Sequence, residues 1–165
     1  MSDDALTTGL LELRSVLAGS FLRYVIDVSD PPCLDDTDRD LLAFFAELAE
    51  ANADSVGALT QLLVERETTP PPTSFPLAYT SFNYLRPRYL LRPLRDRMAS
   101  EVDEVLELVG ALRATSNDAS VDAMLERVFA TEKTIFDRIE RKLVELPPER
   151  PVTSSAPKGT SASRW

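Results

Sequence analysis

Residues 69–86 read TPPPTSFPLAYTSFNYLR, and this stretch decides the fold. Pro70, Pro71 and Pro72 stop any helix arriving from the N-terminal side, while Pro87 suits the first turn of the next one. Fully extended, these 18 residues reach roughly 60 Å at about 3.3 Å per residue. A helix of about 28 residues measures only about 42 Å. The link can therefore cross a whole bundle and join the helices on either side of it in parallel. Its Phe75, Leu77, Tyr79, Phe82 and Tyr84 predict that it packs against those helices.

Working outward, helical periodicity covers four segments, and no segment reads as a strand. The first helix runs from about Asp4 to Val28 and is stopped by Ser29-Asp30-Pro31-Pro32. Asp36 or Thr37 caps the second, which continues to about Thr68. The third starts near Pro87 and ends near Ala114, with Pro93 in its first two turns either kinking it or delaying its start. Asn117 or Asp118 opens the fourth, which closes at Leu146 before Pro147-Pro148. Short first and third links make antiparallel pairs of helices 1 and 2 and of helices 3 and 4. The expectation is an all-α four-helix bundle over residues 1–146, with a long crossover between helices 2 and 3. Residues 147–165, rich in Pro, Ser and Thr and ending in Trp165, read as a disordered tail.

Composition narrows the function. A formal charge of −9 speaks against nucleic acid and anionic membrane surfaces. The chain has no histidine, which removes Ser-His-Asp triads and imidazole metal ligands. Five scattered glycines form no phosphate-cradling loop. Cys33 is the only cysteine, and the acidic start Met1-Ser2-Asp3-Asp4 is unlike a signal peptide, so a cytoplasmic location is expected.

Placing residues at about 100° of rotation each gives every helix an apolar stripe. Helix 1 offers Leu6, Leu10, Leu13, Leu17, Phe21 and Tyr24, and helix 2 offers Leu41, Phe45, Leu48, Val56, Leu59 and Leu63. Helix 3 gives Leu94, Met98, Val105, Leu108, Val109 and Leu112; helix 4 gives Val121, Leu125, Val128, Ile135, Ile139 and Leu143. Polar residues break the stripes near mid-helix: Asn52 in helix 2, Glu101 in helix 3 and Glu132 in helix 4. Arg14 flanks the helix 1 stripe at a similar depth. A carboxylate among apolar side chains needs compensation, and a hydrogen-bonded network with Arg14, Asn52, Tyr24 or Ser20 is expected to supply it.

Two helical hairpins, a long crossover and carboxylates meeting at mid-bundle resemble the ferritin-like family of carboxylate-bridged di-iron proteins. There, two helices each supply a Glu and two each supply a Glu-x-x-His. Only Glu101 and Glu132 match that pattern. Ile135 stands three residues after Glu132 where the family has His, Asn52 takes the inward line of helix 2, and Glu12 points outward. The resemblance implies a ferritin-like bundle whose metal site has degenerated.

Two surfaces remain. Arg86, Arg88, Arg92, Arg95 and Arg97 crowd twelve residues. They either pair with nearby acids or form a patch for an anion or acidic partner. Leu11, Leu22, Val25 and Ile26 give helix 1 a second apolar surface, from which a homodimer through helix 1 is expected. The function expected is a non-catalytic structural or protein-interaction module with no cofactor and an unidentified protein partner. The alternatives are an atypical carboxylate-rich di-metal oxidoreductase or storage protein holding iron or manganese, and a small-molecule binder with a cavity beside Glu101 and Glu132.

Overall fold

The computed structural model describes residues 2–149, and among them there is helix and loop but no strand. The chain is all-helical. The expected tail lies outside the described residues from 150 onward, Trp165 included. No single helix among the described residues is long and apolar enough to cross a membrane.

The first helix is not continuous. α1 (Ser2–Ala18) ends before Gly19, and α2 (Phe21–Tyr24) runs on into a π-helical turn, Val25–Ser29. The two pieces meet at 44°. Ser20 leaves the helical region at ψ 143°, and Gly19 sits where backbone presses on both sides. A β-carbon there would lie 3.1 Å from the Ser15 carbonyl oxygen and 3.3 Å from that of Ser74 in the long link. The bend turns Phe21, Leu22, Tyr24 and Val25 all inward, which one straight amphipathic helix cannot do. It also removes the surface behind the dimer expectation: Leu22 and Val25 are fully buried within one chain, and Leu11 and Ile26 pack at the core's edge.

α3 (Asp36–Glu65) begins at Asp35 rather than at Asp36 or Thr37, because the Asp35 carboxylate accepts from the Asp38 amide at 2.8 Å. It closes with Thr68 N–H donating to Leu63 O and Glu67 N–H to Val64 O, each 2.9 Å. A 3₁₀ segment (Leu77–Phe82) lies in the link, α4 spans Pro87–Thr115 with Pro87 in its first turn, and α5 spans Ala119–Glu145. Pro93 does not delay α4, although its missing N–H leaves the Tyr89 carbonyl without the usual helical donor. Asp118 caps α5 by accepting from the Ser120 amide at 2.8 Å.

Two apolar clusters set the directions of these helices. One joins Phe21 and Val25 with the starts of α3 and α4 (Leu41, Phe45, Leu90, Leu94) and the end of α5 (Ile135, Ile139). The other joins α1 with the ends of α3 and α4 (Leu59, Leu63, Val105, Leu112) and the start of α5 (Val121, Leu125). α3 and α4 thus point the same way, α1 and α5 the other. The link returns from the second cluster to the first, where Phe75, Tyr79, Phe82 and Leu85 pack. Leu77 and Tyr84, expected to pack too, are exposed.

The basic run disperses rather than forming a patch. Arg88 donates to the Pro147 carbonyl at 2.7 Å, Arg95 pairs with Asp96 at 2.8 Å, and Arg92 is exposed. Arg86 ties the start of α3 to that of α4, meeting Asp38 at 2.7 Å, Asp35 at 2.9 Å and Glu149 at 2.9 Å. Burial alone would raise the pKa of Asp38. Hydrogen bonds from the Leu34 amide, the Arg86 guanidinium and the Arg88 amide overcome it and hold the carboxyl below its usual range. Its stabilisation is present above the unfolded pKa and lost as pH falls through the lower folded one. Arg86→Leu strands a fully buried carboxylate and should cost about 3 kcal/mol in urea unfolding. Adding Asp38→Asn should recover part of that loss. A single variant within about 0.5 kcal/mol of the native protein would show that this pairing does not hold the helix ends.

Candidate functional site

The two apolar clusters meet at a polar layer made by Ser20, Asn52, Glu101 and Glu132. Each residue follows from its helix register. Asn52 lies one turn past Leu48, Glu101 one turn past Met98, and Glu132 one turn past Val128, so all three keep to their inward stripes. Glu132 and Asn52 have no solvent exposure, and Glu101 retains 8%.

The Asn52 amide nitrogen donates to the Leu17 carbonyl at 3.2 Å and to Glu132 Oε1 at 3.3 Å. Leu17 lies in the last turn of α1, where its carbonyl accepts a long hydrogen bond from the Ser20 amide at 3.4 Å, and Asn52 adds a second donor. The Glu132 and Glu101 carboxyls lie close enough to shift each other's titration, with the Ser20 hydroxyl beside Glu101. That hydroxyl donates to the Met98 sulfur at 3.7 Å. One oxygen on each carboxyl, Glu101 Oε1 and Glu132 Oε2, receives no donor from the described chain. A proton held between the carboxyls gives them the donor they lack.

The electrostatics run the same way. Burial, and then the charge of Glu132, pushes the Glu101 carboxyl well above the usual range. Burial also raises Glu132, against the lowering effect of the hydrogen bonds from Glu101 and Asn52. The groups facing the pair are Ser20, Asn52 and Glu104, with Tyr79 and Arg97 on the link side. No cation of the described residues pairs with either carboxyl.

Arg14, the expected compensator, is elsewhere. Its Nε donates to Thr60 Oγ1 at 2.7 Å and its guanidinium reaches the Pro71 carbonyl at 3.4 Å. Thr60 lies eight residues beyond Asn52, about 12 Å along α3, so Arg14 stands beside the second cluster rather than the polar layer. Tyr24 also turns away, its hydroxyl donating to Asn83 Oδ1 at 2.7 Å. The structure brings together Asn52, Glu101 and Glu132 of the five residues expected at mid-bundle.

A carboxylate-bridged di-metal centre takes four carboxylates and two histidines. This layer offers two carboxyls and one unpartnered amide oxygen, that of Asn52. Among the described residues no three His, Cys, Asp or Glu are grouped to hold a metal ion. The residues do not fit such a centre. Cys33 supplies no alternative chemistry, because burial and then Asp38 push its thiol up, away from the reactive thiolate.

Glu101 also borders a cleft of about 810 Å³ between the α1–α2 break, the link and α4. Phe75, Tyr79 and Phe82 wall it, and the Arg97 guanidinium lies over the rings of Phe21, Tyr79 and Phe82 at 5.3, 4.9 and 5.1 Å. The small-molecule alternative placed a cavity beside Glu101 and Glu132; this cleft is lined by Glu101 and not by Glu132, and its aromatic wall was not expected. Its signals were Gly19-Ser20 within an apolar helix and the spacing of aromatics in the link. No family model, curated protein or solved structure matches the chain.

Two variants test the layer. In Glu132→Gln the amide can donate to Glu101 as the proton does. The native fold holds protons that the unfolded chain releases above about pH 4, so native stability falls as pH rises from there through the raised pKa values. The variant should match the native protein near pH 4 and exceed it by about 1 kcal/mol at pH 8. Parallel stability curves would exclude a shared proton. Arg14→Leu removes only peripheral hydrogen bonds, so its unfolding free energy should drop by about 1 kcal/mol. A loss above about 3 kcal/mol would return Arg14 to the centre of the fold.

Proposed function

We propose that this chain is a ferritin-like four-helix bundle, with residues 66–86 as its crossover, serving as a non-catalytic structural or protein-interaction module. In this reading the mid-bundle carboxyls are held by a proton where the family resemblance would place metal. Four long helices, two running each way, support the architecture. One observation carries the functional reading: Glu101 and Glu132 meet only each other, an amide and a hydroxyl, in a chain without histidine. Such a pair supplies no redox-active ligand set, and burial between the two apolar clusters raises both carboxyls toward their protonated forms and keeps them from acting as an exposed nucleophile.

The test is elemental analysis of protein purified without chelators and then incubated aerobically with ferrous iron or manganous ion. Iron and manganese should stay well below one per chain. Stoichiometric metal that is lost in Glu132→Gln would overturn the reading in favour of an atypical metalloprotein.

A further inference from the structure

Between Glu67 and Arg86 the sequence holds no charged residue, so the link makes no ion pair with the helices it crosses. Its backbone–backbone hydrogen bonds stay within it: Tyr79 N–H donates to Pro76 O at 3.0 Å, Asn83 N–H to Thr80 O at 3.2 Å and Leu85 N–H to Phe82 O at 3.4 Å. Not one of residues 69–86 is fully buried. Side chains hold the link down. Phe75, Tyr79, Phe82 and Leu85 lie half-buried on the first cluster, and the Tyr24 hydroxyl donates to Asn83 at 2.7 Å. The Arg97 guanidinium, 4.9 Å from the Tyr79 ring, 5.1 Å from Phe82 and 5.3 Å from Phe21, clasps the link to α2 and α4 with one cation. Close to the far end of the link, Tyr84 takes a φ of 71°, a region that bulky side chains seldom adopt. With 88% of its surface exposed, its own packing offsets little of that strain.

We infer that residues 69–84 form a strap that lifts from the bundle as a unit while the four long helices stay folded, with Tyr84 as its hinge and Arg97 as its latch. Few buried contacts and no backbone hydrogen bond to a helix place the strap at the low-stability end of the fold. The end of α3 supplies the second pivot, where Glu67 already turns at a φ of 57°. Lifting frees Tyr84 from its strained backbone, and the rings leave the Arg97 clasp together because Tyr79 and Phe82 share it. Beneath the strap lie Phe21, Tyr24 and the cleft that Glu101 borders, so opening widens that cleft without parting α3, α4 and α5.

The probe is chymotrypsin, applied to the full chain across urea concentrations below the unfolding transition, with the first cuts read by mass. Cleavage after Tyr79 or Phe82 needs their rings out of the Arg97 clasp, whereas cleavage after Phe129 or Phe136 needs α5 to unfold. The strap sites should be cut at a rate nearly independent of urea, and the α5 sites at a rate that climbs steeply with it. Arg97→Gln should speed strap cleavage about tenfold. Tyr84→Gly, which relieves the strain of the closed form, should slow it about threefold. Arg92→Gln, exposed on the same helix, should leave it unchanged. Leu125→Val, in the second cluster away from the strap, should speed α5 cleavage about fivefold and leave the strap rate as it is. Strap sites that follow the α5 sites, in urea or in Leu125→Val, overturn the inference, because the link then opens only when the whole fold does. Native-level strap cleavage in Arg97→Gln overturns the latch, and cleavage at or above the native rate in Tyr84→Gly overturns the hinge. The urea series and the Leu125→Val and Tyr84→Gly comparisons decide the matter even if Arg97→Gln does not fold.

Discussion

Two carboxyl groups stand side by side in the interior with no cation of the described residues paired to them, and the arrangement of the helices depends on how they are tolerated. An ionised carboxylate in such surroundings costs several kcal/mol even after relaxation, and a second one beside it costs more. Burial raises both carboxyls toward the protonated form, which reduces that penalty, and Asn52 meets part of the remaining hydrogen-bonding demand. The arrangement works at one depth only. A slip of α5 by one turn would carry Glu132 toward Val128 and Leu125 and pull it from Asn52 and Glu101. The layer therefore fixes the alignment of α3, α4 and α5, a specificity that apolar stripes alone leave loose.

The same layer explains why α1 breaks where it does. A helix continuing through Gly19 would use the Leu17 carbonyl internally and leave Asn52 with one partner fewer. With the break, that carbonyl keeps only a long contact with the Ser20 amide and can also accept from Asn52, the Ser20 side chain lies beside Glu101, and the next five residues present mostly apolar side chains inward. The link then lies against the bend, its Ser74 carbonyl close to Gly19 and its aromatic rings packed edge-on against Phe21 and Tyr24. Phe21–Tyr79 and Phe21–Phe82 pack edge to face at 5.0 Å, a favoured geometry for aromatic pairs. The cleft is what remains where a bent helix and a returning link fail to fill the space beside a straight α4.

Much of this was legible in the sequence. Every residue of the helix 1 stripe is buried, from Leu6 to Tyr24, as are the inward positions Asn52, Glu101 and Glu132. Periodicity carries that information because it needs only the helix's own geometry. Arg14 misled for the opposite reason. Its depth relative to Asn52 depends on how α1 is set against α3, which no single-helix pattern encodes. The dimer expectation failed to find its surface because Leu22 and Val25 look outward on a straight helix and inward on a bent one. Arg86 and Asp38 were visible as charges, yet their pairing needs the starts of α3 and α4 brought together by the long link.

The fold thus treats buried acid in two ways, and position decides between them. Asp38 sits at the end of the helices, where the Arg86 side chain keeps 16% of its surface exposed. A guanidinium there gives up only part of its hydration and gains Asp38, Asp35 and Glu149 at once, so an ion pair is favourable. At mid-bundle Glu132 has no exposure, and an arginine brought beside it would have to shed nearly all its water. That penalty is several kcal/mol per ion, comparable to what the pairing returns. A proton lowers the charge of the same site without adding an ion or any volume to the packed interior. From the ends of the helices to their middle, the local supply of water therefore selects the counter-charge, guanidinium at the wet end and hydrogen in the dry middle.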